Sequence, residues 1–308
     1  MIRSARRSDY NQIRRLWDEA FTDKNYANWY FTNVYREEYT LVYDVNDIDG
    51  QDSKVVAMLA RIPYEINNFG KVTYIYGACT DIEYRNRGIM SKLLAHSEEI
   101  DRATGIMAII LIPENKELFK FYDKLGYNKY FYRYLINKED NKDYLEVKEN
   151  LLISNNNEEN RINKGFLEEV YINVTSVKPN ESKIIYKLNN LYNHLYSDKQ
   201  SVVRDTDYFL KQITMYNENQ GKVYIFYDGH NEIKGYVFGY IEEDFIVTEL
   251  VYEDSKVRQE IINQLIMFHK SIRILNELQG NYKIKYGSIK ILQKCKIKYK
   301  LIINLMLD

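Results

Sequence analysis

Two arginines and a glycine lie between a predicted strand and a predicted helix, in the segment Arg85-Asn86-Arg87-Gly88. The free backbone N–H groups at a helix start attract an anion, and the helix dipole adds roughly half a positive charge there. Gly88 lets the backbone approach a phosphate closely, and both arginine side chains can pair with further phosphate oxygens. The turn therefore predicts a pyrophosphate-binding site, which we call the cradle.

A second polar pattern follows in the segment Asn115-Lys-Glu-Leu-Phe-Lys-Phe-Tyr122-Asp-Lys-Leu-Gly126-Tyr127. Leu118, Tyr122 and Leu125 share the spacing of one helix face, and the glycine is typical of a helix end. Tyr122 is therefore either a core residue on that face or a functional group.

The two segments resemble the signature motifs of the GNAT superfamily of N-acetyltransferases. Arg85-x-x-Gly88 matches the start of the acyl-coenzyme A motif R/Q-x-x-G-x-G/A, and Met90 stands where the family has a small residue. Asn115 and Tyr122 match the family's N-x(6)-Y-x-x-x-G-[FY] signature. The resemblance implies that acetyl-coenzyme A is the acyl donor, that Asn115 contacts it, and that Tyr122 is the general acid for the departing thiolate.

The same resemblance places the donor along one strand. We expect its pantetheine arm to pair with the backbone from Ala78 to Ile82 like an added strand, and a backbone N–H near Cys79 and Thr80 to polarise the thioester carbonyl. The predicted donor-binding residues are Ala78, Cys79, Thr80, Ile82, Arg85, Asn86, Arg87, Gly88, Ile89, Met90 and Asn115.

The acceptor implied by the resemblance is a primary amine of a small molecule or peptide, which attacks the thioester directly. An amine with a pKa near ~10 is mostly protonated at pH 7, so a base or a water chain must remove a proton. The sequence does not choose among four nearby acids, which are Glu65, Asp81, Glu83 and Glu114.

The residues predicted to bind the acceptor are Trp29, Tyr30 and Glu114. Trp29 and Tyr30 belong to an aromatic helix predicted from Tyr26 to Tyr35, and core packing explains them at least equally well.

Several elements must position these residues. A strand at Val72–Asp81 feeds the cradle, a helix at Gly88–Thr104 follows it, and the continuous apolar run Ile106–Ile112 predicts a strand covered on both sides. In the second half, a helix is predicted at Ser255–Ile274. The turn before it, Glu253-Asp254, has acids and no glycine, so we expect no acyl-coenzyme A to bind there.

The predicted fold class is α/β (α+β), with two GNAT-like domains that are each a mixed, mostly antiparallel sheet flanked by helices. A splayed strand pair is expected at the cofactor site of the first. The domains are predicted at residues 1–140 and 165–308, with a polar linker at 141–164. This tandem layout resembles the "enhanced intracellular survival" (Eis) group. From its length we expect this chain to lack that group's sterol-carrier-like domain, and the resemblance does not assign the group's terminal carboxylate role to Asp308.

The amino-acid composition argues against several other classes of protein. A formal net charge of -1 argues against nucleic-acid or membrane partners, and the sequence pattern predicts neither a signal peptide nor a transmembrane segment. Cys79 and Cys295 suit neither a disulfide framework nor a metal site, and Cys79 is expected to be a buried strand thiol. We therefore expect a cytoplasmic enzyme without a metal, and the resemblance to the Eis group implies a homo-oligomer. The alternative is a non-catalytic acyl-coenzyme A sensor or a scaffold.

Overall fold

The computed structural model describes residues 1–46, 53–136, 171–173, 182–269, 272–275 and 282–293. In chain order its elements are β1 (Ile2–Ser4), α1 (Tyr10–Ala20), α2 (Lys24–Asn33), β2 (Thr40–Asn46), β3 (Ser53–Ile66), β4 (Gly70–Thr80), α3 (Ile89–Ala103), β5 (Ala108–Leu111), α4 (Lys116–Lys124), β6 (Lys129–Ile136), β7 (Tyr171–Asn173), α5 (Ser182–Tyr196), α6 (Thr206–Glu218), β8 (Gly221–Tyr227), β9 (Ile233–Ile241), β10 (Phe245–Tyr252), α7 (Ser255–Phe268), β11 (Ile272–Leu275) and β12 (Tyr282–Ile291). No helix in these ranges is both long and apolar enough to cross a membrane.

The chain forms two compact units, and neither is one continuous stretch of sequence. The first unit combines Met1–Phe131 with Tyr196–Val203 and Lys285–Asp308, and the second combines Tyr132–Leu195 with Arg204–Ile284. The division predicted from the sequence has no such exchange of segments. The predicted linker, residues 141–164, lies outside the described residues.

The sheet of the first unit is mixed and mostly antiparallel, as predicted. β1, β2, β3 and β4 are antiparallel neighbours in that order. β5 then pairs in parallel with β4, and β12 pairs antiparallel with β5. All four residues of β5 are buried, because the strand has a neighbour on each edge and covered faces. This confirms the expectation drawn from the apolar run.

Helices cover both faces of this sheet, because successive side chains of a strand point to opposite sides. On β4, Ile75 packs into an apolar core with Leu93 of α3. Its neighbour Tyr76 faces the other way, toward Trp17 of α1, at 5.7 Å between ring centroids. The layer toward α3 is therefore mostly aliphatic, and the layer toward α1 is rich in aromatic rings; we call the latter the aromatic layer.

The second unit repeats the arrangement. β10 lies between antiparallel β9 and parallel β11, and β9, β8 and β7 continue the sheet in antiparallel pairs. On the other side of β11 lies β6, which is antiparallel to it. α7 packs on this sheet through Ile261 and Leu265, which are fully buried.

The helix predicted at Ser255–Ile274 was too long. α7 ends at Phe268, and the backbone of His269 is extended, with φ −123° and ψ 131°. The residues after it form β11, in which Ile272 and Ile274 are buried and Arg273 between them is exposed. This alternation is the two-residue period of a strand, and it outweighs the continuing helical spacing.

Candidate functional site

The cradle is an open helix N-terminus. Asn86 and Gly88 both have left-handed backbones, with φ of 61° and 72°, and α3 begins at the next residue. Gly88 is the N-cap, and no side chain caps the helix there. A Cβ added at Gly88 would meet no atom within 4 Å, so the space before the first-turn amides is clear.

The two arginines brace the turn with part of their hydrogen-bonding capacity. Nε of Arg85 donates to the Thr80 carbonyl at 3.1 Å. Nη2 of Arg87 donates to the Glu83 carbonyl at 2.8 Å, and its guanidinium lies 5.0 Å from the centroid of the Tyr84 ring. Both side chains are exposed, and a guanidinium has five N–H donors, so each retains donors for an anion.

The strand before the cradle continues beyond its pairing with β5. The last pair joins Ile75 to Leu111, where β5 ends, and β4 continues to Thr80. The last five residues of β4 therefore have no β5 residue beside them, and we call this edge of β4 the gap; it lies where the sequence predicts a splayed pair.

A β-bulge redirects β4 at the start of this gap. Met58 pairs with Cys79 and Ala60 pairs with Tyr76, so two β4 residues face one residue of β3. One of the two is Gly77, which has φ +57°, and a Cβ there would lie 2.3 Å from Cζ3 of Trp17. Only glycine satisfies both the backbone angle and the close approach of the indole.

Backbone groups of Thr80 face the gap. The Asp81 amide donates to the Val56 carbonyl of β3 at 2.8 Å. Because backbone groups alternate sides along a strand, the N–H and carbonyl of Thr80 point away from β3. The Thr80 N–H therefore lies on the side where an added extended chain could pair.

A cavity of about 250 Å³ adjoins this edge. Three predicted donor-binding residues line it, Thr80, Ile82 and Arg85, together with Leu16, Glu19 and Ala20 of α1. The structure thus brings the end of β4 and the cradle to one concave surface.

Asp81 fixes the turn between the gap and the cradle. Its carboxylate caps the amide of Glu83 at 3.1 Å and pairs with Arg15 at 3.2 Å and Lys54 at 3.3 Å. Burial alone would raise the pKa of Asp81, but these hydrogen bonds and cations lower it below its usual range. A carboxylate so engaged is a poor proton acceptor.

Asn115 and Tyr122 lie on one helix, α4. Asn115 is its exposed N-cap, and the side-chain oxygen accepts from the Leu118 amide at 3.0 Å. Tyr122 is buried in the same core cluster as Ile89, the first residue of α3, with its ring edge-on to that of Tyr127. Burial raises the pKa of Tyr122 to about 12.

The first half of the chain matches a known family. The family model described as an acetyltransferase (GNAT) domain matches residues 1–130, which contain the cradle, Asn115 and Tyr122. The match covers 130 of the 308 residues, so it describes the first part of the chain and not the whole. No curated protein has a significant sequence match to this chain.

Solved structures extend the likeness to nearly the whole chain. A probable N-acyltransferase from Enterococcus faecalis V583 is 15% identical, with a TM-score of 0.65 over 95% of this chain and 72% of that one. A GCN5-related N-acetyltransferase from Anabaena variabilis is 13% identical, with a TM-score of 0.66 over 95% and 73%. Eis1 from Mycobacterium abscessus is 10% identical, with a TM-score of 0.59 over 95% and 73%. The chain therefore shares its fold with these three proteins.

Other residues that the sequence singled out in the GNAT domain have different surroundings. Ile89 is buried and Met90 is partly buried against the core, so their side chains face away from the cradle and leave only their amides to it. Cys79 is buried, which raises the pKa of its thiol to about 12, so the thiol is not a reactive nucleophile.

The predicted acceptor-binding residues do not come together. Trp29 and Tyr30 are each 1% exposed in the aromatic layer, and Tyr30 stacks on Trp17 at 4.4 Å. This is the core packing that the sequence left open as an alternative. Glu114 is exposed beside Asn115, and the other candidate bases Glu65 and Glu83 are exposed as well.

Sequence reasoning about the GNAT domain missed two contributors to this surface. Gly77 could have been noticed, because an isolated glycine within a strand pattern indicates a bulge or a close backbone approach. The wall formed by Leu16, Glu19 and Ala20 had no such signal, because helical spacing does not say which residues of α1 face the end of β4.

Proposed function

We propose that the first unit transfers the acetyl group of acetyl-coenzyme A to a primary amine of a small molecule or peptide. The observation that carries this proposal is the N-terminus of α3, which a glycine caps and no side chain fills. It lies directly after a strand that continues beyond its parallel neighbour, so an anion site and a slot for an extended chain are contiguous.

The pyrophosphate of the donor binds the amides of the first turn of α3, with Arg85 and Arg87 pairing with its outer oxygens. Ile89 and Met90 contribute their amides. The pantetheine arm follows the backbone from Ala78 to Ile82, where the gap leaves one edge of β4 free of β5.

The amine nitrogen attacks the thioester carbonyl carbon, the Thr80 N–H stabilises the developing oxyanion, and the carbon–sulfur bond breaks. The electron pair of that bond leaves with sulfur as a thiolate, which takes the proton of the Tyr122 hydroxyl. The products are an amide and coenzyme A, and the tyrosinate regains a proton from solvent.

The pKa of Tyr122, raised to about 12 by burial, keeps this hydroxyl protonated until it is needed. A thiolate with a pKa near ~8.5 would be too weak a base for it in water. Proton transfer from Tyr122 therefore requires a site that excludes water, because desolvation disfavours the thiolate and makes it a stronger base.

The amine loses its proton to water rather than to a side chain. Asp81 is held by two cations, and Glu65, Glu83 and Glu114 are exposed to solvent, so none of these four acids is placed as a buried general base. We expect a rate that rises with pH as the free amine fraction increases.

This same observation favours a second candidate, a protein that binds acyl-coenzyme A without turnover. The experiment that separates the two measures release of free coenzyme A from acetyl-coenzyme A with a panel of polyamines, aminoglycosides and peptides. Release that depends on an amine, with a matching acetylated product, supports the transferase. Binding without release from any amine supports the sensor, and the absence of binding refutes both.

A further inference from the structure

A lysine near the end of the described chain reaches both helices of the donor site. Lys290 lies on β12, and its side chain is 21% exposed. Its ammonium pairs with the carboxylate of Glu98 on α3 and donates to the Leu125 carbonyl at the end of α4 at 2.8 Å. It also lies 5.5 Å from the centroid of the Tyr127 ring.

The end of α4 is shaped to admit this side chain. A Cβ added at Gly126 would lie 3.1 Å from Cε of Lys290 and 3.4 Å from its Nζ, which is tighter than ordinary contact. The glycine that ends α4 therefore also makes room for the lysine.

The strand that carries Lys290 is held firmly on the first unit. It pairs antiparallel with β5 from Ser288 to Ile291. Nη1 of Arg102 on α3 donates to the Leu292 carbonyl at 2.8 Å, and the Leu292 amide donates to the Met107 carbonyl at 2.9 Å. Lys290 is thus supported from both sides and is not a mobile surface side chain.

The turn after α4, which Lys290 contacts, is hydrogen-bonded to the backbone of Tyr122. The Tyr122 carbonyl accepts from the Leu125 amide at 3.0 Å and from the Tyr127 amide at 3.1 Å. The Tyr127 ring then packs against the ring of Tyr122, with centroids 5.8 Å apart. A displacement of Leu125 or Tyr127 would therefore move the hydroxyl of Tyr122.

We infer that Lys290 is a positioning residue of the acetyl-transfer site, which holds Tyr122 on α4 in register with the cradle helix α3. This inference rests on the proposed function of the first unit. Lys290 itself touches neither donor nor acceptor, since it acts through Glu98, Leu125 and Tyr127. It lies 160 residues beyond the end of the segment that matches the GNAT family.

The test compares Lys290→Met and Lys290→Arg in the full chain. Methionine keeps the apolar stem but removes the charge and the donors, whereas arginine can still pair with Glu98 and the Leu125 carbonyl. We expect Lys290→Met to lower kcat about 10–100-fold, since small misplacements of a catalytic group have effects of that order. The Kd for acetyl-coenzyme A should change less than about 3-fold, and Lys290→Arg should recover most of the rate. The matched control is Lys187→Met, which removes an exposed lysine paired with Glu232 and should change neither quantity.

A second readout does not need turnover. In protein labelled with ¹³C at the tyrosine ring, the Tyr122 signal is the one missing from Tyr122→Phe. It should shift in Lys290→Met and stay in place in Lys187→Met. If kcat and this signal are both unchanged in Lys290→Met, the inference is wrong. If the wild type turns over no amine, the proposed function fails while the signal still decides the role of Lys290.

Discussion

Both units contain a strand, a turn and a helix in the same order, but the N-termini of the two helices are capped in opposite ways. In the first unit Gly88 caps α3 and offers no side chain. In the second unit Asp254 caps α7, and its carboxylate accepts from the amides of Lys256 at 2.8 Å and Val257 at 2.9 Å. One helix start is free for an external anion, and the other already holds an anion of its own.

The likeness extends to the strands before these turns. β4 continues five residues past its last pair with β5, at Ile75, and β10 continues five residues past its last pair with β11, at Val247. Both strands also have a bulge in this stretch. The two units therefore share this strand geometry, and the difference between them lies at the helix cap.

The residue two positions past the last parallel pair differs between the units. In the first unit it is Gly77, within the bulge, and in the second it is Glu249, which pairs with Phe238 directly after the bulge. Glu249 is buried and forms a bidentate pair with Arg204, at 2.6 and 2.9 Å. Tyr192 and Tyr208 flank the guanidinium, at 4.2 and 4.7 Å from their ring centroids. In the second unit this position therefore forms an internal ion pair.

The largest expected effect is on the rate of acetyl transfer by the first unit. Tyr122→Phe removes the hydroxyl and keeps the ring that packs against Tyr127. General acid catalysis contributes about 10²–10⁴-fold, so kcat should fall by that factor while the Kd for acetyl-coenzyme A stays within about 2-fold. Turnover and calorimetry on the same preparations measure both. A variant with the wild-type rate would remove Tyr122 from the mechanism.

The next effect is on stability and belongs to the second unit. Arg204→Met leaves the buried Glu249 carboxylate unpaired and should lower the free energy of unfolding by about 3–5 kcal/mol. Replacing both partners, as Arg204→Met with Glu249→Leu, should recover part of this loss. Urea unfolding measures it, and acetyl-coenzyme A affinity serves as the control that should not change. Equal losses in the single and double variants would contradict the role assigned to the pair.

Gly77→Ala tests the bulge of the first unit. The added Cβ clashes with Trp17 and forces alanine to φ +57°, so we expect a loss of about 2–4 kcal/mol in the free energy of unfolding. The matched control is Gly229→Ala, where an added Cβ would meet nothing within 4 Å. If the two variants unfold at the same denaturant concentration, the close packing at Gly77 is not required.

The smallest effect concerns the cap of α7. Asp254→Ala removes an N-cap and should cost about 1 kcal/mol of stability. It should not create a second donor site, because the turn lacks the glycine and arginines of the cradle. Thermal unfolding and calorimetric stoichiometry check the two expectations. A second equivalent of bound acetyl-coenzyme A would show that the cap alone separates the units.

The sequence predicts those elements of the proposed donor site that depend on neighbouring residues alone. Helical spacing after Gly88 predicted α3 to within a residue at each end, and the apolar run predicted β5 as a strand covered on both sides. The sequence predicts that the acids Glu253-Asp254 do not suit a phosphate, but it does not predict that Asp254 caps the helix.

The features that sequence did not predict depend on distant partners. The angle at Gly77 matters because Trp17 lies against it, and β5 gains its second neighbour from β12, near the end of the chain. Trp29 is a residue type that can line an acceptor pocket, and only tertiary packing shows that it belongs to the core. Strand order and burial are set by the whole fold, which one-dimensional spacing does not contain.

The central claim is that one helix N-terminus of this chain binds acetyl-coenzyme A and the other does not. The most direct test is calorimetric titration of acetyl-coenzyme A into the wild type and into Gly88→Asp, which gives α3 the kind of carboxylate that caps α7. Aspartate tolerates a left-handed backbone better than most residues, so the variant should fold at a cost of about 1–2 kcal/mol, which thermal unfolding verifies. We predict one site per chain in the wild type and no measurable binding to folded Gly88→Asp. No binding to the wild type, or wild-type affinity in the variant, would contradict the account.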